Sequence, residues 1–158
     1  MKKSATSHKT IFISSVQKEL QAERRAVKDY IQNDPLLNRF FDVFLFEDLP
    51  AIDRKANDVY LEEVDSCDVY IGLFGNEYGS EDTEGISPTE REFDLATAKG
   101  KPRLIFIKGI DEKLRHPRMA KLIKKAGSQL IRRRFDNQPD LISGVYASLI
   151  EYMEMNGD

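Results

Sequence analysis

"DVYIGLFG", residues 68–75, decides the fold. After Asp68 the run carries no charge and almost no polar group. A strand with one wet face alternates apolar and polar side chains. An uninterrupted apolar run means burial on both faces, which requires a parallel sheet covered by helices.

Outward from this run the chain alternates short apolar stretches with amphipathic ones. "TIFIS" (10–14) precedes it, followed by a helical segment in which Val16, Leu20, Val27 and Ile31 recur at near-helical spacing and which exits at Pro35. "FDVFLFE" (41–47) reads as the second strand, and 53–66 as a helix with Ala56, Tyr60, Leu61 and Val64 on one face. Beyond the central run come a loop of about a dozen residues, long for such a unit, and a helix over 88–99. A fourth strand (103–109) and a helix with Pro117 in its first turn follow. "SQLIRRRF" (128–135) is a polar, edge-type fifth strand. The closing helix places Leu141, Val145, Leu149 and Tyr152 or Met153 on one stripe. The pattern predicts an α/β fold: an open five-stranded parallel sheet flanked by helices, in the flavodoxin-like order 2-1-3-4-5. Residues 10–155 form one domain, and 1–9 read as a disordered leader.

Composition narrows the function. A length of 158 residues suits one domain. The net charge of −3 gives no overall pull toward nucleic acid. The basic stretch 113–134 reads as solvated faces, with Arg132, Arg133 and Arg134 as the one candidate DNA contact. No apolar run is long enough to span a membrane and no secretory signal is visible. The single cysteine, Cys67, precludes an internal disulfide and reads as a small core residue. These features predict a cytoplasmic protein. With only His8 and His116, zinc, iron and Ser-His-Asp chemistry are not expected, and the scattered acids of 77–84 make a weak metal site, so no metal is assigned. There is no P-loop, and "SSVQKE" replaces the dinucleotide fingerprint after the first strand, so no cofactor is required.

The helix opening "SPTEREFDLATAKGKP" (87–102) carries two glutamates with different prospects. Ser87-Pro88-Thr89-Glu90 is a capping box, in which Ser87 accepts from the Glu90 amide and Glu90 reaches back to the Ser87 amide. Glu92 is not needed for the cap. It lies about 200° around the helix from Glu90, in line with Ala96 and Gly100, on a face narrow enough to press on the sheet. The helix N-terminus is expected to keep it ionised. Two readings are open: a catalytic carboxylate, or a glutamate that only complements the helix dipole. In the 2-1-3-4-5 order, ligands bind outside the carboxyl ends of strands 1 and 3. Ser14 and Ser15, Gly75, Tyr78 and Gly79, with Phe46 and Glu47 alongside, arrive there. That set could hold a nucleoside or nucleotide.

"IFISSVQKELQAERRAV", "FE" with Pro50-Ala51, "VDSCDVYIGLFGNEYG" and "SPTEREFDLATAKGKPRLIFI", in that order, resemble the DUF4062 family over most of 11–107. That family is similar to the group containing TIR domains and nucleoside 2-deoxyribosyltransferases. The resemblance implies a TIR-like fold, and a place at the N-terminus of a larger signalling or RecG-related regulatory protein. It implies a signalling or interaction module that self-associates or docks a protein partner, with a nucleotide as a compatible ligand. The alternative it implies is an N-glycosidase or transferase acting on NAD or a nucleoside. The pattern Glu92, Ala96, Gly100, Lys101, Pro102 matches the deoxyribosyltransferase signature, which makes Glu92 the catalytic carboxylate. Tyr78 would then stack on the base, and Ser14 or Ser15 would hold a ribose hydroxyl or phosphate. The Trp-Cys pair that usually precedes the TIR glutamate is missing, since the chain has no tryptophan.

Overall fold

Each apolar run pairs with its neighbours to form one sheet, and the segments between them cross over as helices. The structure, a computed structural model, describes residues 8–109 and 112–156. Five strands, β1 (Lys9–Ser14), β2 (Phe41–Phe44), β3 (Val69–Phe74), β4 (Arg103–Lys108) and β5 (Arg132–Phe135), pair in parallel in the order β2-β1-β3-β4-β5. The helices are α1 (Gln21–Asn33), α2 (Ala56–Ser66), α3 (Pro88–Ala98), α4 (Pro117–Gly127) and α5 (Gln138–Met155).

The strands' two-residue period sorts the core into two layers. Ile11, Ile13, Val69, Ile71, Leu73 and Phe106 pack with the buried residues of α1 and α5. Phe12, Tyr70, Phe74, Ile105 and Ile107 pack with those of α2, α3 and α4. All six residues of β3 are buried, as a central strand covered on both sides must be. Cys67 lies in the second layer, and burial pushes its thiol up to about 11.

Several boundaries differ from the sequence reading. β1 begins at Lys9, so the predicted leader overlaps the sheet by one residue, and its first seven residues lie outside the described ones. β2 stops at Phe44, because Phe46–Asp48 turns into a single 3-10 turn. α1 starts at Gln21, five residues later than the apolar spacing suggested. α2 starts at Ala56 and buries Val59 and Val64 rather than a stripe through Ala56, Tyr60 and Leu61. β5 keeps only the last four residues of its predicted span. On α5, Leu141, Val145, Leu149 and Met153 are the buried stripe.

Candidate functional site

β1 ends at Ser14 and Ser15 follows it, and the two consecutive side chains go to opposite sides of the sheet. Ser14, opposite Gly72 of β3, points to the α3 side, and its hydroxyl donates to Glu92 Oε1 at 2.6 Å. Ser15 points toward α1, where its hydroxyl accepts from Arg24 Nη1 at 2.9 Å. Two polar clusters therefore meet at the carboxyl end of β1, one on each side of the chain.

Glu92 is 7% exposed, and its helix presses on the sheet through Phe93 and Ala96, both 0% exposed. Burial pushes its carboxyl up to about 7, and the Ser14 hydroxyl and the nearby Arg24 charge offset only part of that. Burial therefore works against the ionised form that the helix N-terminus was expected to favour. The completely buried Tyr70 hydroxyl lies within the field of Glu92 and faces Ser14, but closes no hydrogen bond among the described residues. Tyr60 of α2 feels the same charge.

On the other side, Arg24 is 2% exposed and fully engaged. Its Nε and Nη2 hold the two Glu47 oxygens, each at 2.8 Å. Its Nη1 donates to Ile13 O at 3.1 Å as well as to Ser15. Burial raises the Glu47 carboxyl, but Arg24 outweighs it and holds the group below its usual range. Glu47, Phe46, Leu49, Pro50 and Val59 line a cleft of about 330 Å³ between the 3-10 turn and α2.

A model of the family described as a domain of unknown function, DUF4062, matches residues 10–150. The chain belongs to the DUF4062 family. No curated protein sequence matches it. Among solved structures, it is similar to the CMP N-glycosidase BcmB of Clostridium botulinum. That match has 10% identity and a TM-score of 0.57, and it covers 89% of this chain and 99% of the other. It is also similar to the TIR domains of the activated Roq1 resistosome, which directly recognizes the pathogen effector XopQ. There the identity is 11% and the TM-score 0.50, over 77% of this chain and 72% of the other. Both likenesses are of fold: this chain has the α/β fold of TIR domains.

Within this DUF4062 domain the structure places Ser14 and Glu92 in one polar pair and Ser15 and Glu47, through Arg24, in a second on the other side of the chain, with Phe46 at the edge of the cleft and packed edge-on to Tyr60. It does not bring in Tyr78. That side chain is 1% exposed, its ring stacks on His116 at 5.5 Å and its hydroxyl donates to Glu90 at 2.6 Å, so it is not free to stack on a base. Glu90 is corrected too. Ser87 caps its amide at 3.2 Å, but the Glu90 carboxylate turns to Tyr78 and to Lys125 at 2.6 Å instead of completing the box. The space beside Gly75 is filled by the Glu19 carboxylate, which accepts from the Asn76 and Glu77 amides at 2.8 and 3.1 Å. Gly79 serves the turn, with φ at 92°.

The remaining candidates disperse. Arg132 bonds the Ile123 carbonyl, Arg134 pairs with Glu112, and Arg133 points to the other side of the strand, so the three do not form one patch. Asp82 and Glu84 pair with Arg91, and Glu81 with Arg118. Among the described residues no metal-binding group of three or more His, Cys, Asp or Glu side chains forms, and no helix is long and apolar enough to cross a membrane.

The sequence reading missed Arg24. It stands four residues after Leu20 and three before Val27, on the one helical stripe that goes into the core. A charged residue at such a position needs a buried partner, and that was the available signal.

Proposed function

We propose that this DUF4062 domain breaks the N-glycosidic bond of a nucleoside or nucleotide, with Glu92 as the carboxylate facing the anomeric carbon. The observation that carries the reading is the Ser14–Glu92 pair. A carboxylate that is 7% exposed stands at the carboxyl end of the two central strands, hydrogen-bonded by the last residue of β1. Open α/β sheets bind ligands at that point. A merely helix-favouring glutamate would sit in water. The near-complete alignment with a protein named as a CMP N-glycosidase lends support at the level of fold.

The chemistry suits the group. As the bond between the anomeric carbon and the base nitrogen breaks, its electron pair leaves with the base; cytosine takes up a proton, whereas the cationic nicotinamide of NAD becomes neutral without one. The sugar becomes oxocarbenium-like. Ionised Glu92 stabilises that cation or attacks it, and water completes hydrolysis by adding to the anomeric carbon and losing a proton. The Ser14 hydroxyl fixes the carboxylate's direction. NAD, cytidine and CMP are substrates to try, in the reducing cytoplasm that the lone thiol fits.

The test is release of free base from each compound, followed chromatographically, by wild type and by Glu92→Gln. Base from wild type alone supports the reading. No base from any compound at high protein concentration removes it.

A second reading, a self-associating or partner-docking module within a larger regulator, is supported by the TIR-like fold and by exposed apolar side chains. Ile131 is 96% and Leu114 73% exposed. Sedimentation across a concentration series tests it, and a strict monomer at every concentration argues against self-association.

A further inference from the structure

We infer that the Nε/Nη2 edge of Arg24 is an oxyanion-binding fork, held in the free protein by Glu47 and taken over by the phosphate of a nucleoside monophosphate when ligand enters the cleft. The choice of a nucleotide rests on the N-glycosidic reading above; the fork itself does not.

The fork is built before any ligand arrives. Arg24 is 2% exposed, and its third donor group, Nη1, is tied to Ile13 O and Ser15 Oγ. Those two bonds fix the guanidinium plane. The remaining edge presents two parallel N–H groups, the geometry that matches a carboxylate or a phosphate face. Glu47 fills that edge with both oxygens at 2.8 Å. Arg24 lies inside while the Glu47 side chain is 26% exposed and lines the cleft with Phe46. The exposed partner is the one that can be exchanged.

The turn carrying Glu47 has a second tie to α1. The adjacent Asp48 is bound to α1 by Arg25 and by Lys28, the latter at 2.6 Å. Both bonds remain when Glu47 swings away. Nη1 of the same guanidinium holds Ser15, the residue that follows the Ser14 donating to Glu92. The Arg24 charge acts on Glu92, so the fork and the carboxylate stand within electrostatic reach of each other, as the two ends of one bound nucleotide require.

A buried guanidinium left without an anion is costly, so removing Glu47 makes the fork a receptor for any small oxyanion. The experiment compares wild type, Glu47→Ala and the double variant Arg24→Met/Glu47→Ala in phosphate and in chloride at equal ionic strength. Thermal midpoint and the ¹⁵N resonance of Arg24 Nε are followed. Glu47→Ala is expected to melt lower than wild type in chloride and to recover by a few degrees in phosphate. Its Nε signal should shift on titration. The double variant should show no phosphate effect. If Glu47→Ala does not fold, Glu47→Gln keeps an acceptor on the fork and removes only the charge, and the same comparison applies. In wild type, CMP should bind about tenfold tighter than cytidine, the worth of one charge-assisted contact. Arg24→Met should abolish that preference.

A phosphate response in Glu47→Ala no larger than in the double variant overturns the inference, as does equal affinity of wild type for CMP and cytidine. Phosphate binding without base release keeps the fork and removes the glycosidase reading. Base release with no phosphate preference does the reverse.

Discussion

The Ser14 hydroxyl donates to Glu92 across 2.6 Å, joining the last residue of β1 to the second turn of α3 inside the fold. One consequence is thermodynamic. The Glu92 carboxyl is raised from 4.5 to about 7 on folding, so between those values the native state holds a proton that the unfolded chain has lost. Stability therefore falls as pH rises through that window and stays low above it. Glutamine, always neutral and still able to accept from Ser14, avoids the cost. Glu92→Gln should match wild type near pH 4 and be more stable by on the order of 3 kcal/mol at about pH 8. Urea unfolding at both pH values checks the sign. A variant destabilised at about pH 8 would show that Glu92 is held ionised by contacts the buried pair does not explain.

The same carboxyl sets a pH profile for activity. If Glu92 acts ionised at the anomeric carbon, kcat/KM for base release should rise about tenfold per pH unit below about 7 and level off above it. Ser14→Ala removes a hydrogen bond that favours the ionised form, and should move the rising limb to higher pH. A limb that stays in place in Ser14→Ala separates Glu92 from the titration.

Gly75 offers a packing test. A Cβ built there would stand 2.6 Å from Glu19 Oε1 and 2.7 Å from its Cδ. Gly75→Ala should therefore expel the Glu19 carboxylate from the Asn76 and Glu77 amides, at a cost of about 1–3 kcal/mol. Once Glu19→Ala has removed the carboxylate, the added methyl should cost much less. The double-mutant cycle should show a coupling of about 1 kcal/mol or more. Additive effects would mean that Glu19 moves aside freely.

The sheet order was legible because β3 is apolar throughout and β1 and β4 nearly so, and parallel strands joined by right-handed crossovers leave few topologies. Glu92 was legible because it stood on a helix face that the cap did not use. The start of α1 was not. Val16 and Leu20 carry the apolar period, yet the stretch between them is a turn that delivers Glu19 to the loop after β3, a contact 57 residues away in sequence. Arg24 and Glu47 were invisible as a pair for the same reason: a bidentate bridge between α1 and the turn after β2 exists only once the sheet has formed. Tyr78 was misplaced because an aromatic residue in a glycine-bearing loop reads as a surface platform. Glu90 and His116, which come from distant elements, draw it inward.

Two buried tyrosines should answer oppositely to loss of the hydroxyl. Tyr78 donates to Glu90 at 2.6 Å, and the Glu90 carboxylate also accepts from Lys125, so the hydroxyl is one link between the β3–α3 loop and α4. Tyr78→Phe leaves a partly buried carboxylate short of a donor, and should cost about 1.5–3 kcal/mol, as hydrogen bonds to charged groups do. Tyr70 is 0% exposed and its hydroxyl closes no hydrogen bond among the described residues. That group is taken out of bulk water beside the Ser14 hydroxyl without closing a hydrogen bond to it. Tyr70→Phe keeps the ring packing against Phe12 and Phe93, so it should be neutral or stabilising by up to about 1 kcal/mol. Chemical denaturation of the two variants side by side makes the comparison internal to one fold. If Tyr70→Phe is instead destabilised as much as Tyr78→Phe, its hydroxyl is bonded in solution. Ser14, the hydroxyl it faces, is then the partner to test by a double-mutant cycle with Ser14→Ala.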